Sequence, residues 1–206
     1  MLRGIAAGVG FGAATSLMNA LSSPYVALGV PLAGTVWAGA AKVLSLLMDS
    51  GWSWAALAVA VGWRVGARAQ GALAGAVSLI AATGAYYVTD AFVLGDPLSF
   101  YAMDMIRWWA AGLVLGSVLG VVGASIRRPG LVGLLAALTV PVGAAVQMVL
   151  LPPRPHLTVT PAIVVAEAIV WTAAVLSVGW AVHRFRAARR AVGAAQQHRR
   201  GHPYRS

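Results

Sequence analysis

The 206-residue sequence contains no cysteine, a single lysine and only five carboxylates. Without cysteine there is no disulfide, no thiol nucleophile and no sulfur-ligated metal. Charged residues make up 10% of the chain against 60% hydrophobic, with a mean hydropathy of +0.80, whereas soluble domains carry about a quarter charged residues. This scarcity excludes a soluble fold and implies an integral membrane protein of one domain, with length for six or seven spans of about 20 residues. Catalytic signatures are missing as well: the chain has no phosphate-binding loop, no GxSxG, no HExxH and no dinucleotide fingerprint. Asp90, Asp96 and Asp104 are too widely spaced to imitate a diphosphate-binding aspartate motif. His156 stands apart from His183, His198 and His202, so no zinc site forms and no metal or cofactor is expected.

Positive charge is abundant but concentrated. Of fifteen basic residues, seven fall in the last 23 positions, from Arg184 to Arg205. A basic segment after a spanning helix reads as a cytoplasmic topology determinant that contacts anionic lipids. Nucleic acid is not an expected partner, because the segment lacks interleaved aromatics and a folded scaffold. The near-total replacement of lysine by arginine, together with abundant Ala, Gly, Val and Pro, is the bias of a high-GC bacterial genome. It places the protein in a bacterial plasma membrane.

Apolar runs separated by charge define the helices. Gly4 to Leu21 carries Gly4, Gly8 and Gly12, a small-residue ridge that lets another helix approach closely. Arg3 before this run also fits a secretory signal peptide, although no convincing cleavage site follows. Further helices are expected over Gly51 to Trp63, Gly71 to Leu94, Met105 to Ile126, Leu131 to Leu151 with a kink at Pro141, and Ala162 to His183. The pairs Arg64/Arg68 and Arg127/Arg128 and the C-terminal segment lie two helices apart, so all three face the cytoplasm and the connector Gly95 to Asp104 faces outward. Arg154, in the outer loop Pro152 to Pro161, is the exception. The segment Tyr25 to Met48 leaves two solutions. The first is an all-α polytopic bundle of six spanning helices plus a re-entrant or interfacial segment; the alternative is seven spanning helices. Residues 1–183 form the bundle, and residues 184–206 a basic, partly disordered cytoplasmic tail. Two halves of three helices would permit an inverted repeat of the transporter kind, to which the glycine ridges of the first helix and of Met105 to Ile126 give a faint hint.

The remaining polar residues converge on one level. Tyr86 to Trp109 holds three of the five carboxylates, Asp90, Asp96 and Asp104, with Arg107 and seven aromatics. Glu167 lies about 9 Å below the outer boundary, from the helical rise, and Asn19, Lys42 and Gln147 fall near the same surface. Thr83, Tyr86, Tyr87 and Asp90 share one helical stripe, Asp104 stands above the ridge Gly112, Gly116 and Gly120, and Glu167 precedes Trp171 by one turn. Charge inside a membrane is costly unless paired or functional. Glu167, Asp90 and Asp104 are therefore the candidate catalytic groups, and Lys42, Arg107, Tyr86, Tyr87 and Trp171 the candidate substrate-binding ones. The plainer readings are that Asp96, Asp104 and Arg107 are solvated interfacial charges, and that Trp52, Trp54, Trp108 and Trp109 form an outer aromatic belt, with Trp63 and Trp180 an inner one.

The run Leu46-Leu47-Met48-Asp49-Ser50-Gly51-Trp52-Ser53-Trp54, followed by an apolar helix ending in Gly62-Trp63-Arg64, resembles a family of small actinobacterial multi-pass membrane proteins classed as a domain of unknown function. The resemblance covers Asn19 to Arg128, and the long stretch Tyr25 to Met48 departs from it. It implies a multi-pass fold and no particular activity. Function is thus expected to be that of a small transporter or accessory membrane component with an outward-facing polar cavity for a hydrophobic small molecule. The alternative is a membrane-embedded, cyclase-like enzyme of acid-catalysed lipid or isoprenoid chemistry, using a desolvated carboxylate and aromatic walls.

Overall fold

Small residues make the interior and large ones the outside. In the computed structural model, which describes residues 1–152 and 159–200, with side chains through Arg190, the wholly buried side chains include Thr15, Ser16 and Ser78, while Leu113, Val114, Leu115, Val175 and Leu176 are more than half exposed. A soluble protein would invert this distribution. A bundle surrounded by lipid gains nothing by hiding leucine and gains contact by bringing backbones together over Gly, Ala, Ser and Thr.

Seven helices carry the chain among the described residues: α1 Leu2–Ser22, α2 Val36–Met48, α3 Gly51–Val65, α4 Arg68–Leu94, α5 Ala102–Ser125, α6 Leu131–Leu150 and α7 Pro161–Arg200. Five runs are each long and apolar enough to cross a membrane; α2 and α3, bent by 64° at Asp49–Ser50, qualify as a sixth only when taken together. Alone, α3 is about 22 Å long, short of a hydrocarbon core of about 30 Å.

Glycine contacts determine direction. Along α1, Gly4 faces Ala74, Gly8 faces Ser78 and Gly12 faces Ala82, so α1 and α4 climb in parallel. Helix α5 descends against α4, with Gly120 on Gly71 and Gly116 on Gly75 and Ala76, and runs alongside α3 through Gly123 on Val59 and Gly120 on Gly62. The start of α1 therefore lies with Arg64, Arg68, Arg127 and Arg128 at what we call the basic end. Its last turn lies with the α4–α5 connector at the acidic end. Beyond α1, Gly29 folds back on the carbonyls of Ala20 and Ser23, and α3 starts again at the acidic end, where Gly51 adjoins Gln147. Tyr25 to Met48 thus leaves from and returns to one end. This is the six-crossing solution, with α2 as a tilted segment against α1 and α7.

One expected boundary moves. The last helix does not stop at His183 but continues to Arg200, because the Ala- and Arg-rich stretch that follows has strong helix propensity and no proline before Pro203. Pro141 is buried inside α6, which continues on both sides of it. The hairpin α6–α7 joins the rest through α2 and α3, where Ala144, Met148 and Val170 pack with Leu47 and Trp52. An inverted repeat would pair α1–α4 with α5–α7. Among the described residues α5 and α7 share no comparable packing, so both glycine ridges pack on α4, and that of α5 on α3 as well, rather than within two symmetric halves. Arg154 and His156 lie outside the described residues.

Candidate functional site

The break in the α2–α3 span is the element around which the polar residues assemble. Ser50 donates its hydroxyl to Leu46 O (2.6 Å), and Ser53 bridges Met48 O (2.7 Å) and Ser50 O (2.6 Å). These bonds satisfy carbonyls that a continuous helix would have used. At the new N-terminus the Trp52 amide donates to Gln147 Oε1 from α6 at 3.0 Å. Asp49, the last residue before the bend, is exposed and caps α2 through its backbone N–H, which donates to Ser45 O.

A hydrogen-bonded cluster ties this break to α1 and α4. Ser45 donates to Asn19 Oδ1 at 2.6 Å, and Asn19 Nδ2 donates to the Tyr86 hydroxyl at 3.2 Å. The assignment is self-consistent: the Asn19 oxygen takes the serine proton, and its nitrogen faces an oxygen acceptor. One turn earlier on α1, Ser16 donates to Asp90 Oδ1 at 3.0 Å. Buried Ser78 and Thr15 instead bond to carbonyls of their own helices, Gly75 and Phe11, so Ser16 is the interior hydroxyl of α1 that serves another helix.

Beside the cluster a cleft of about 390 Å3 opens between α3, α4 and α5. Asp49, Trp54 and Ala55 line it from the break and α3; Leu79, Thr83, Tyr86 and Tyr87 from α4; and Trp108, Gly112, Leu115 and Leu119 from α5. The rings form a ladder. Phe11 meets Trp54 edge-on at 5.3 Å, Trp54 meets Tyr86 at 6.3 Å, Tyr86 meets Tyr87 edge-on at 5.2 Å, and Tyr87 reaches Tyr101 at 5.5 Å. Tyr101 in turn donates to Asp96 Oδ2 at 2.8 Å, which pins the turn Leu98–Tyr101 over the acidic end of α4. Gly95, at φ 75°, supplies the left-handed residue that ends α4 and lets the connector double back.

The expected site residues divide. Tyr86 and Tyr87 line the cleft. Asp90 is adjacent, turned towards Ser16 rather than into the cleft. Asp104 and Arg107 form an ion pair at 3.3 Å, one turn apart, with side chains 54% and 72% exposed. The ridge beneath Asp104 does pack, but it ends at Gly112; the next position is Trp108, and with Tyr87 opposite the two helices part to make the cleft. Asp104 is consequently an exposed, ion-paired charge. Replacing it by Asn is expected to change unfolding stability by less than about 0.5 kcal/mol, since exposed pairs of this spacing contribute that little; denaturant titration of the purified protein checks this.

Lys42 is exposed on α2, where its charge acts on Asp49. Glu167, half-buried, and Trp171, 41% exposed, are on α7, whose packing partners are α2 and α6. They are not part of the cleft. Two tryptophans expected in an outer belt lie deeper: Trp54 is in the aromatic ladder, and Trp52 packs on the α6–α7 cluster. At the basic end, Trp63 lies under Arg127 and Trp180 under Arg184, both at 5.3 Å.

Asp49 and Trp54 are the functional candidates that sequence reasoning passed over. Their signal was the cluster of helix-interrupting groups Asp49, Ser50, Gly51 and Ser53 inside an apolar run, the composition that unwinds a span. Fold and site together define a helical protein of membrane-span type, with a partly open aromatic cleft backed by a hydrogen-bonded polar cluster. No known protein family, no characterised protein and no solved structure matches the chain.

Proposed function

We propose that this protein is a small transporter or accessory component of a bacterial plasma membrane, and that its binding site is the cleft between α3, α4 and α5. The observation that carries the reading is a partly open cavity of about 390 Å3 whose lining is mostly apolar, with a few polar groups at one end; this is the usual make-up of a small-molecule site. A broken helix beside it adds support, because irregular backbone at membrane depth is tolerated where it lines a cavity. Orientation follows from charge. Arg64, Arg68, Arg127, Arg128 and the arginines of the α7 extension share one end, which the positive-inside rule assigns to the cytoplasm, with the C-terminus there and the cleft opening outward. The extension, with Arg184, Arg186, Arg189 and Arg190, suits contact with anionic lipid.

The second reading, an acid-catalysed lipid or isoprenoid enzyme, draws less support, since neither Asp90 nor Glu167 lines the cleft. The test is a cleft-filling substitution. Ala55→Phe projects a ring into the cavity from α3. Mass spectrometry of small molecules that co-purify with the protein in nanodiscs should show species enriched by the native chain and lost in the variant. Identical inventories from two equally folded samples would sink the proposal.

A further inference from the structure

The chemistry of the cleft wall indicates what it holds. Its mouth carries one carboxylate, Asp49. A second, Asp90, is near enough to act on Asp49 electrostatically, and Asp104 acts on Tyr87 in the same wall. Two cations stand nearby. Arg107 is engaged by Asp104, and Lys42 is solvent-exposed on α2. Asp49 also ends α2, so the negative end of that helix dipole adds to its charge. Four aromatic side chains line the same space, Trp54, Tyr86, Tyr87 and Trp108, and aromatic rings attract cations through their π-faces. Tyr86 already spends its hydroxyl as an acceptor from Asn19. Beneath this polar mouth, Leu79, Leu115 and Leu119 form an apolar floor.

An anionic ligand would meet the Asp49 carboxylate in the lining, with Asp90 and Asp104 nearby and one of the two cations already engaged by Asp104, and a neutral one would leave the carboxylate unused. A cation with a compact apolar body satisfies both halves: its charge lies beside Asp49 within the aromatic faces, the arrangement that recognises quaternary ammonium groups, and its apolar body fills the floor.

We propose that the cleft binds a lipophilic organic cation, a hydrophobic amine or a quaternary onium, with Asp49 as its counter-ion. This rests on the reading of the cleft as the binding site. The probes are tetraphenylphosphonium, tetraphenylborate of the same shape and opposite charge, and neutral triphenylphosphine oxide. Each is measured by equilibrium dialysis against the full chain in zwitterionic nanodiscs, and specific binding is the difference from Ala55→Phe. Tetraphenylphosphonium should bind saturably and at least tenfold more tightly than either other probe. Asp49→Asn should weaken it at least tenfold, and Asp49→Glu should retain most of the affinity. Binding of the neutral or anionic probe as tight as that of the cation, or an unchanged affinity in a folded Asp49→Asn protein, overturns the assignment of the ligand and leaves the cleft as a binding site. Absence of any Ala55→Phe-sensitive binding removes both. The comparison of the three probes needs only the native chain, so it stands even if the Asp49 variants fold poorly.

Discussion

Gly120→Ala should destabilise the bundle by about 3 kcal/mol or more, at the upper end of overpacking costs. A methyl group at this position would run into the carbonyl of Gly71, while Gly75 of the same helix and Gly62 of α3 already press their own backbones against Gly120. No flexible side chain is available to yield, so α3 or α4 must move as a whole. Loss of monodisperse protein after mild heating in detergent, with a fall in the unfolding temperature, is the expected reading. Gly10→Ala is the matched control, because a Cβ there meets nothing within 4 Å. It should leave stability unchanged or raise it by about 0.5–1 kcal/mol through the higher helix propensity of alanine. Equal effects at the two positions would mean that the helices do not meet along Gly120.

Asn19→Leu is expected to cost about 2 kcal/mol. Interhelical hydrogen bonds in membrane proteins average about 0.6 kcal/mol each, and leaving a buried group without its partner costs about 1–3 kcal/mol. Here the substitution orphans Ser45, which is 6% exposed, and removes the donor to Tyr86. A double-mutant cycle with Tyr86→Phe isolates the second bond and should give a coupling of about 0.6 kcal/mol; additivity within error would show that Asn19 and Tyr86 do not interact. The same substitution loosens the side of the cleft that holds Asp49, so it should also weaken ligand binding in the wild-type assay format.

How much of this was legible in the sequence depends on which kind of information each residue carries. Apolar runs and arginine pairs located the helices to within a turn at most ends, because burial in lipid and the exclusion of charge act on each segment separately. Tyr25 to Met48 could not be placed that way. Its length suits a crossing, and only the parallel contact of Gly8 and Gly12 with Ser78 and Ala82 settles where α1 ends. Depth was legible as well: Asn19, Tyr86, Asp90 and Gln147 do share one level, since rise per residue is constant. Direction around the helix axis was not. Glu167 shares the acidic half of its helix but belongs to α7, which packs on α2 and α6, and no local pattern in the chain encodes that neighbour. Asp104 kept its ridge yet lost its partner helix where Trp108 replaced glycine as the spacer. Asp49 and Trp54 were hidden for the opposite reason: their importance arises from a bend, and a bend brings together residues whose sequence spacing suggests separation.

The parallel pairing of α1 with α4 sets a waiting time on biogenesis. Gly12 and Ala82, which meet in the finished bundle, are separated by 70 positions in the sequence, and chains emerge at about 5–20 residues per second. The first helix therefore resides in the bilayer for about 4–14 seconds with its glycine face unmatched. During that interval Gly4, Gly8 and Gly12 present a bare dimerisation surface to any other newly inserted helix. Ribosome-stalled intermediates ending before α4 should cross-link through α1 to foreign helices or to the insertion machinery, and those ending beyond Leu94 should not.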